Sequence, residues 1–374
     1  LWRTVAEELA TWCSTSTSRD FETVATRFEH EGDGFLTITL PAFGKDFERC
    51  LDAGCVAPES FVGYSYKGGL PRFLGGFLEL VFDRRSGVLL DNPNIDSIFA
   101  IRQLTLMFKK ILLPCSDARV EDAMRKYVEC EQEVQAFDRS ISEELLKEFK
   151  ETSALLFWET FVHVDSNVYN NEVIPRHGPG ATADRLAGNG KFDQTEWPQR
   201  LDDVFPYGEY GIPSWRYYYL LDRVHFLEPA EERPVKVTPV AKTLETPRII
   251  AIEPTAMQYM QQALMERFVN LLEAEIFPNG RVNPVSGMIG FTDQVPNQGL
   301  ASLGSLTGNL ATLDLSEASD RVSNLHVMTM LSDHKWLNAA VQATRSMKAD
   351  VPGIGVIPLS KFASMGSALC FPME

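Results

Sequence analysis

Three groups of side chains have the types and spacing that chemistry needs. The first is Asp314 with Asp320, in Ala311-Thr312-Leu313-Asp314-Leu315-Ser316 and the turn after it. Period-two alternation puts Thr312, Asp314 and Ser316 on one face of a strand and Leu313 and Leu315 on the other. A carboxylate at the end of a buried strand can hold Mg²⁺, a hard cation that takes one or two carboxylates together with substrate phosphates. Asp320 follows six residues later, where the chain can curl back toward the same place. Ser316, Glu317, Ser319 and Asp320 also suit the cap of a following helix, since acidic residues favour helix N-termini, and spacing alone leaves both readings open. The second group is Lys236, Lys242 and Arg248, interrupted by Glu245. Lysine as a point charge and arginine as a bidentate fork suit a triphosphate, although an ordinary solvated face has the same composition. The third is Ser364-Met365-Gly366-Ser367, whose glycine and small hydroxyls suit either a plain turn or a loop that approaches a sugar closely.

The elements that must position these groups can be read from pattern. Arg248 to Ile252 is a short apolar strand, and Leu310 to Leu315 is a second one with Asp314 near its end. Thr255 with Gln258 reads as a capping box opening a helix to about Ile276, ended by Pro278. Asp320 to Leu331 reads as helical, and Val351-Pro352-Gly353 as a turn into Gly355-Val356-Ile357. Upstream, Asp117 can cap a charged helical stretch from about Arg119 to Glu151. Its apolar residues Ala123, Val128, Val134, Phe137, Leu145 and Phe149 keep only a loose helical period, so a break is expected near Ser140. Glycine and proline mark Ile174 to Tyr210 as loop-rich. The aromatic run Trp215, Tyr217, Tyr218 and Tyr219 reads as core packing ahead of base stacking. His177 reads as a hydrogen-bond partner that orders its loop.

Composition narrows the classes. A chain of 374 residues, 44% apolar and 23% charged, is folded rather than disordered and holds two or three structural units. No apolar stretch reaches the ~18–20 residues of a spanning helix, so no membrane role is expected. Leu1 is not a start methionine and no signal peptide follows it, so a fragment is expected. Six cysteines without a C-x-x-C pair read as reduced thiols. The net charge of −16 argues against a polyanion partner only until its distribution is seen. Residues 1–232 carry 24 basic and 39 acidic residues; residues 233–374 carry 11 and 12. The acidity belongs to the front of the chain, and the main boundary is placed near Arg233.

In this order, the run Pro239 to Pro254, then Asp314-Leu315-Ser316-Glu317-Ala318-Ser319-Asp320, then Ser364-Met365-Gly366, closely resembles the replicases of single-stranded RNA bacteriophages, the levivirus group. The three runs correspond to the polymerase motifs lettered F, A and B, and His177 to Asp184 looks like a loop upstream in that family. The resemblance implies an α+β right-hand polymerase, with 1–232 as the N-terminal and fingers region and 233–374 as the basic fingertip strand and a partial palm. It implies an RNA-directed RNA polymerase that takes ribonucleoside triphosphates, an RNA template and a product strand, with Mg²⁺, or Mn²⁺ in its place. Asp314 would be the metal-binding carboxylate, with the Leu315 carbonyl beside it. Asp320 would sense the ribose 2′-hydroxyl, Lys242 and Arg248 would grip the triphosphate, and Ser364 and Gly366 would form the loop beside ribose and template. Host elongation factors Tu and Ts are the implied partners, and the host bacterial cytoplasm the implied location.

Departures accompany the resemblance. Glu245 sits where some relatives have a further basic residue, and no Asn follows the Ser364 loop. No Gly-Asp-Asp occurs, although two-metal chemistry needs a second carboxylate source. A chain stopping before that motif, and therefore inactive alone, is expected. The one Asp-Asp pair, Asp202-Asp203, would serve only in a permuted arrangement, and its flank from Trp197 to Arg200 reads as a poor buried strand. A non-catalytic acidic interaction protein and a reverse-transcriptase-type palm are the competing classes. No G-x-x-x-x-G-K-[ST] or H-E-x-x-H is present.

Overall fold

The computed structural model describes residues 1–374 and is a mixture of helices and small sheets, in keeping with an α+β class. Its contacts divide into two compact units: Leu1–Ala123 with Val240–Arg248, and Met124–Pro239 with Ile249–Glu374.

The first unit is built on amphipathic helices. Trp2, Ala6, Leu9 and Ala10 recur at helical spacing in Trp2–Trp12 and are buried. The helices Leu40–Ala53 and Ile95–Leu106 add Phe43, Phe47, Ala100, Ile101 and Leu104 to the same core. The indole nitrogen of Trp2 donates to the Leu104 carbonyl at 2.9 Å, so the buried ring leaves no orphan donor.

The second unit carries the candidate residues of motifs A and B. Its core gathers Trp197, Phe205, Met260, Leu264, Phe268, Leu337 and Val341. The expected helix break is found: one helix covers Asp117–Ser140, and the next, Glu143–Tyr169, starts behind Ser142, whose side chain accepts from the Leu145 amide. The strand Arg248–Ile252 is also found, at the edge of a four-stranded sheet. Its neighbours in order are Val235–Val240, Lys348–Val351 and Gly355–Pro358, the middle pair parallel and the last pair a hairpin.

Four expectations are corrected. Leu310 to Leu315 forms no strand; the segment is irregular and exposed, with Leu313 86% and Leu315 72% accessible. Its alternation is that of a strand, but no neighbouring strand pairs with it to satisfy the backbone. Asp320 to Leu331 is not one helix but two short ones, Ala318–Arg321 and Asn324–Met330, the second capped by Ser323. The aromatic run is not core: Trp215, Tyr217, Tyr218 and Tyr219 lie exposed on a 3₁₀ helix, Trp215–Arg223. Trp197 is fully buried in a strand, Glu196–Pro198, paired in parallel with His225–Leu227.

Candidate functional site

The helix Thr255–Leu272 opens differently from a capping box. Thr255 lies inside the helix, and the Asp184 carboxylate accepts from its amide at 3.1 Å and from its hydroxyl. The cap thus comes from 71 residues upstream, a pairing no local pattern encodes. Asp184 ends the glycine-rich loop from His177, which is pinned elsewhere by Lys191. That ammonium is buried and donates to the carbonyls of Gly178 at 2.6 Å and Gly180 at 2.5 Å. His177 is not the hydrogen-bond partner expected: its Nε2 is buried without a partner, and its ring stacks on Tyr259 at 4.4 Å. Burial, with help from Lys191, pushes its pKa down to about 4, so it is neutral at pH 7.

Beside this loop lies a cavity of about 370 Å³ lined by Asp184, Arg185, Arg233, Lys236 and Asp350 among others. Arg233 is held by both oxygens of Glu196 at 2.6 and 2.7 Å. Lys236, from the basic run, thus shares a cavity with Arg185, which the sequence reading did not single out. Lys242 and Arg248 belong to the first unit and are exposed. Within that unit their loop is tied down by Cys115 and Arg119, which donate to the carbonyls of Thr243 and Leu244.

The loop Ser364-Met365-Gly366 is held against the edge strand. The Ala251 amide donates to the Met365 carbonyl at 2.8 Å, and Gly366 adopts φ +133°. A Cβ there would overlap the Ala251 carbonyl oxygen, so glycine is required both for conformation and for closeness. Gln261 accepts from the Ser367 hydroxyl and the Ala368 amide, both at 3.1 Å. Ser364 is buried, and its hydroxyl lies 2.9 Å from that of Tyr127.

Asp320 and Ser364 meet at a lysine that pattern reading missed. The Lys361 side chain is fully buried, its Nζ 2.9 Å from Asp320 Oδ1 and 3.4 Å from the centroid of the Tyr127 ring. Burial pulls the Lys361 pKa down, while Tyr127 and Asp320 raise it by more, leaving it above the ordinary lysine value. Tyr127, Cys130 and Glu131 share one helix face. The Cys130 thiol lies 3.4 Å from the Asp320 carbonyl, and Glu131 accepts from the amides of Ser360 and Lys361. The signal was available: Met124, Tyr127, Cys130, Glu131 and Val134 form a helical stripe once a polar residue is admitted to it.

Asp314 stands apart, exposed in the irregular segment, with Leu315 beside it in sequence. No three His, Cys, Asp or Glu side chains lie close enough to hold an ion. Asp314 and the Leu315 carbonyl offer hard oxygens, the donor type Mg²⁺ takes, but no cluster of ligating side chains forms around them. Asp202-Asp203 is no substitute: the pair lies at the end of the helix Gln199–Asp202, and Asp202 accepts from the Tyr207 amide at 2.7 Å.

Glu253 is buried and accepts from the Ser346 hydroxyl at 2.5 Å. Burial raises its pKa to about 7, against the opposing pull of Ser346, Gln261, Arg345 and Arg200. An acid whose folded pKa is raised favours the fold while protonated, so its contribution is lost as pH climbs from about 4.5 through about 7. Glu253→Gln is expected to raise unfolding stability by about 1–3 kcal/mol at pH 8 and to change it little at pH 4.5. Urea denaturation at the two pH values checks this; an equal effect at both contradicts it.

Comparison with known proteins finds relatives over the rear of the chain. Residues 231–374 match the family model described as RNA replicase, beta-chain. The chain is 34% identical over 139 residues to the RNA-directed RNA polymerase subunit beta of Escherichia virus Qbeta, covering 37% of this chain and 21% of that protein. It is 32% identical over 142 residues to the subunit of Enterobacteria phage SP, covering 37% and 22%. It is 32% identical over 135 residues to the RNA-directed RNA polymerase beta chain of Enterobacteria phage GA, covering 36% and 23%. The match thus spans about a fifth of the length of these relatives.

Proposed function

We propose that the chain is part of a viral RNA-directed RNA polymerase, residues 1–232 serving as N-terminal and fingers region and 233–374 as fingertip strand and palm of a right-hand fold. The observation that carries this is the replicase match over 231–374, which contains Lys242, Arg248, Asp314, Asp320, Ser364 and Gly366 in motif order. The reaction is template-directed attack of an RNA 3′-hydroxyl on the α-phosphate of a ribonucleoside triphosphate, releasing pyrophosphate. Lys242 and Arg248 hold the triphosphate, Asp320 and Ser364 read the ribose, and Gly366 lets the motif B loop lie close to the edge strand. Mg²⁺ bound at Asp314 would supply charge stabilisation at the reacting phosphate. The acidic front of the chain suits contact with other subunits, elongation factors Tu and Ts being those the resemblance implies, in the host bacterial cytoplasm.

The test uses the product of the complete reading frame that contains these residues. Lys242→Ala and Arg248→Ala should each raise the KM for nucleoside triphosphates, each removing a charge-assisted phosphate contact worth about 1.5–3 kcal/mol. RNA affinity should fall less. If RNA affinity fell while nucleotide KM stayed constant, the basic run would contact the template instead.

A further inference from the structure

We propose that Lys361 is a positioning residue for ribonucleotide selection, holding Asp320 directly and Ser364 through Tyr127. This rests on the polymerase reading above and assigns to it a group outside the three motif runs.

The geometry makes Lys361 a side-chain link between the two ribose-facing candidates. Its ammonium donates to Asp320 at 2.9 Å and stands 3.4 Å over the Tyr127 ring, while the Tyr127 hydroxyl is 2.9 Å from Ser364. An ammonium with no accessible surface has no water to satisfy it, so it is retained there only against compensating partners. Those partners are an anion and an aromatic face, each at contact distance. Asp320 differs in being 19% accessible. One carboxylate oxygen is thus engaged by the buried ammonium, and the partly open side chain remains available to a ligand with its rotamer fixed. Glu131 fixes the other end of the arrangement. It receives the amides of Ser360 and Lys361, so the backbone carrying the lysine cannot shift without leaving a buried carboxylate unpaired.

A purely structural lysine would alter stability and leave substrate choice alone. A positioning lysine must alter substrate choice, and must do so through the Asp320 and Ser364 side chains it holds. In the product of the complete reading frame, Lys361→Met should lower the preference for ribo- over deoxyribonucleotides at least tenfold, about as far as Asp320→Ala does. The double variant should be no worse than either single one, because each breaks the same arrangement. Wild-type discrimination retained in Lys361→Met, or losses that multiply in the double variant, would overturn the proposal. Should Lys361→Met give no cooperative unfolding transition, Tyr127→Phe decides: it keeps the ring beneath the ammonium and deletes the bond to Ser364. Its preference for ribo- over deoxyribonucleotides should fall severalfold with its melting temperature little changed; an unchanged preference overturns the proposal. Absence of templated incorporation by the wild-type protein would instead remove the polymerase reading itself.

Discussion

In the product of the complete reading frame, the proposed polymerase role has Asp314→Asn abolish nucleotide incorporation while leaving the fold intact. The carboxylate is exposed and lies in an irregular segment, so its loss should change unfolding free energy by no more than about 0.5 kcal/mol, the ordinary range for surface substitutions. Its loss should nevertheless cut kcat by several orders of magnitude, because an asparagine oxygen lacks the charge that a hard cation requires and the deficit falls on the transition state. Single-turnover incorporation, measured alongside thermal unfolding of the same preparation, separates the two effects. Near-normal extension by the variant would remove Asp314 from the site. A fall in stability matching the fall in rate would make it a structural residue.

The second large effect is expected at Gly366, and there stability and activity should fall together. Its φ of +133° lies where L side chains rarely go, and an added methyl would overlap the Ala251 carbonyl oxygen. Backbone strain of this kind costs about 1–3 kcal/mol, and clearing the overlap adds to it. Gly366→Ala should therefore destabilise the second unit by at least about 2 kcal/mol in urea unfolding. It should also loosen the bond from the Ala251 amide to Met365, seen as faster hydrogen exchange at Ala251. A variant as stable as wild type, with Ala251 still protected, would show that the loop tolerates a side chain and is not fixed against the strand.

Much of the local structure was legible because it follows from neighbours in sequence. The strand Arg248–Ile252, the hairpin after Val351 and the break after Ser140 depend on apolar pattern, turn residues and a serine cap. What failed depends on partners far along the chain. Leu310 to Leu315 has a strand's alternation, but alternation specifies a face and not the neighbour that completes the ladder. Thr255 and Gln258 have the spacing of a capping box, yet the Asp184 carboxylate takes the position. The Trp215–Tyr219 run looks like core by composition, but consecutive large residues on a tight 3₁₀ helix cannot all face one way.

The candidate site divides along the same line. Lys242, Arg248, Asp314, Asp320, Ser364 and Gly366 were found through motif order, and the structure joins only Asp320 and Ser364 among them by a chain of side-chain contacts. Lys361 and Tyr127, which make that join, are 234 residues apart and carry no motif. An isolated lysine in Ser360-Lys361-Phe362 reads as surface until its burial is known. The Lys191 pin and the Glu253 carboxyl escaped notice because charged residues are expected outside; these are inside, Lys191 with carbonyls 11 and 13 residues upstream and Glu253 with a hydroxyl 93 residues away.

Templated RNA synthesis is the decisive measurement. The product of the complete reading frame is incubated with a defined RNA template, four ribonucleoside triphosphates and Mg²⁺, and the products are sequenced. The polymerase account requires RNA complementary to the template, with one pyrophosphate released per nucleotide added. RNA binding without incorporation, in Mg²⁺ or in Mn²⁺, would contradict it and leave an acidic interaction protein as the reading of this chain.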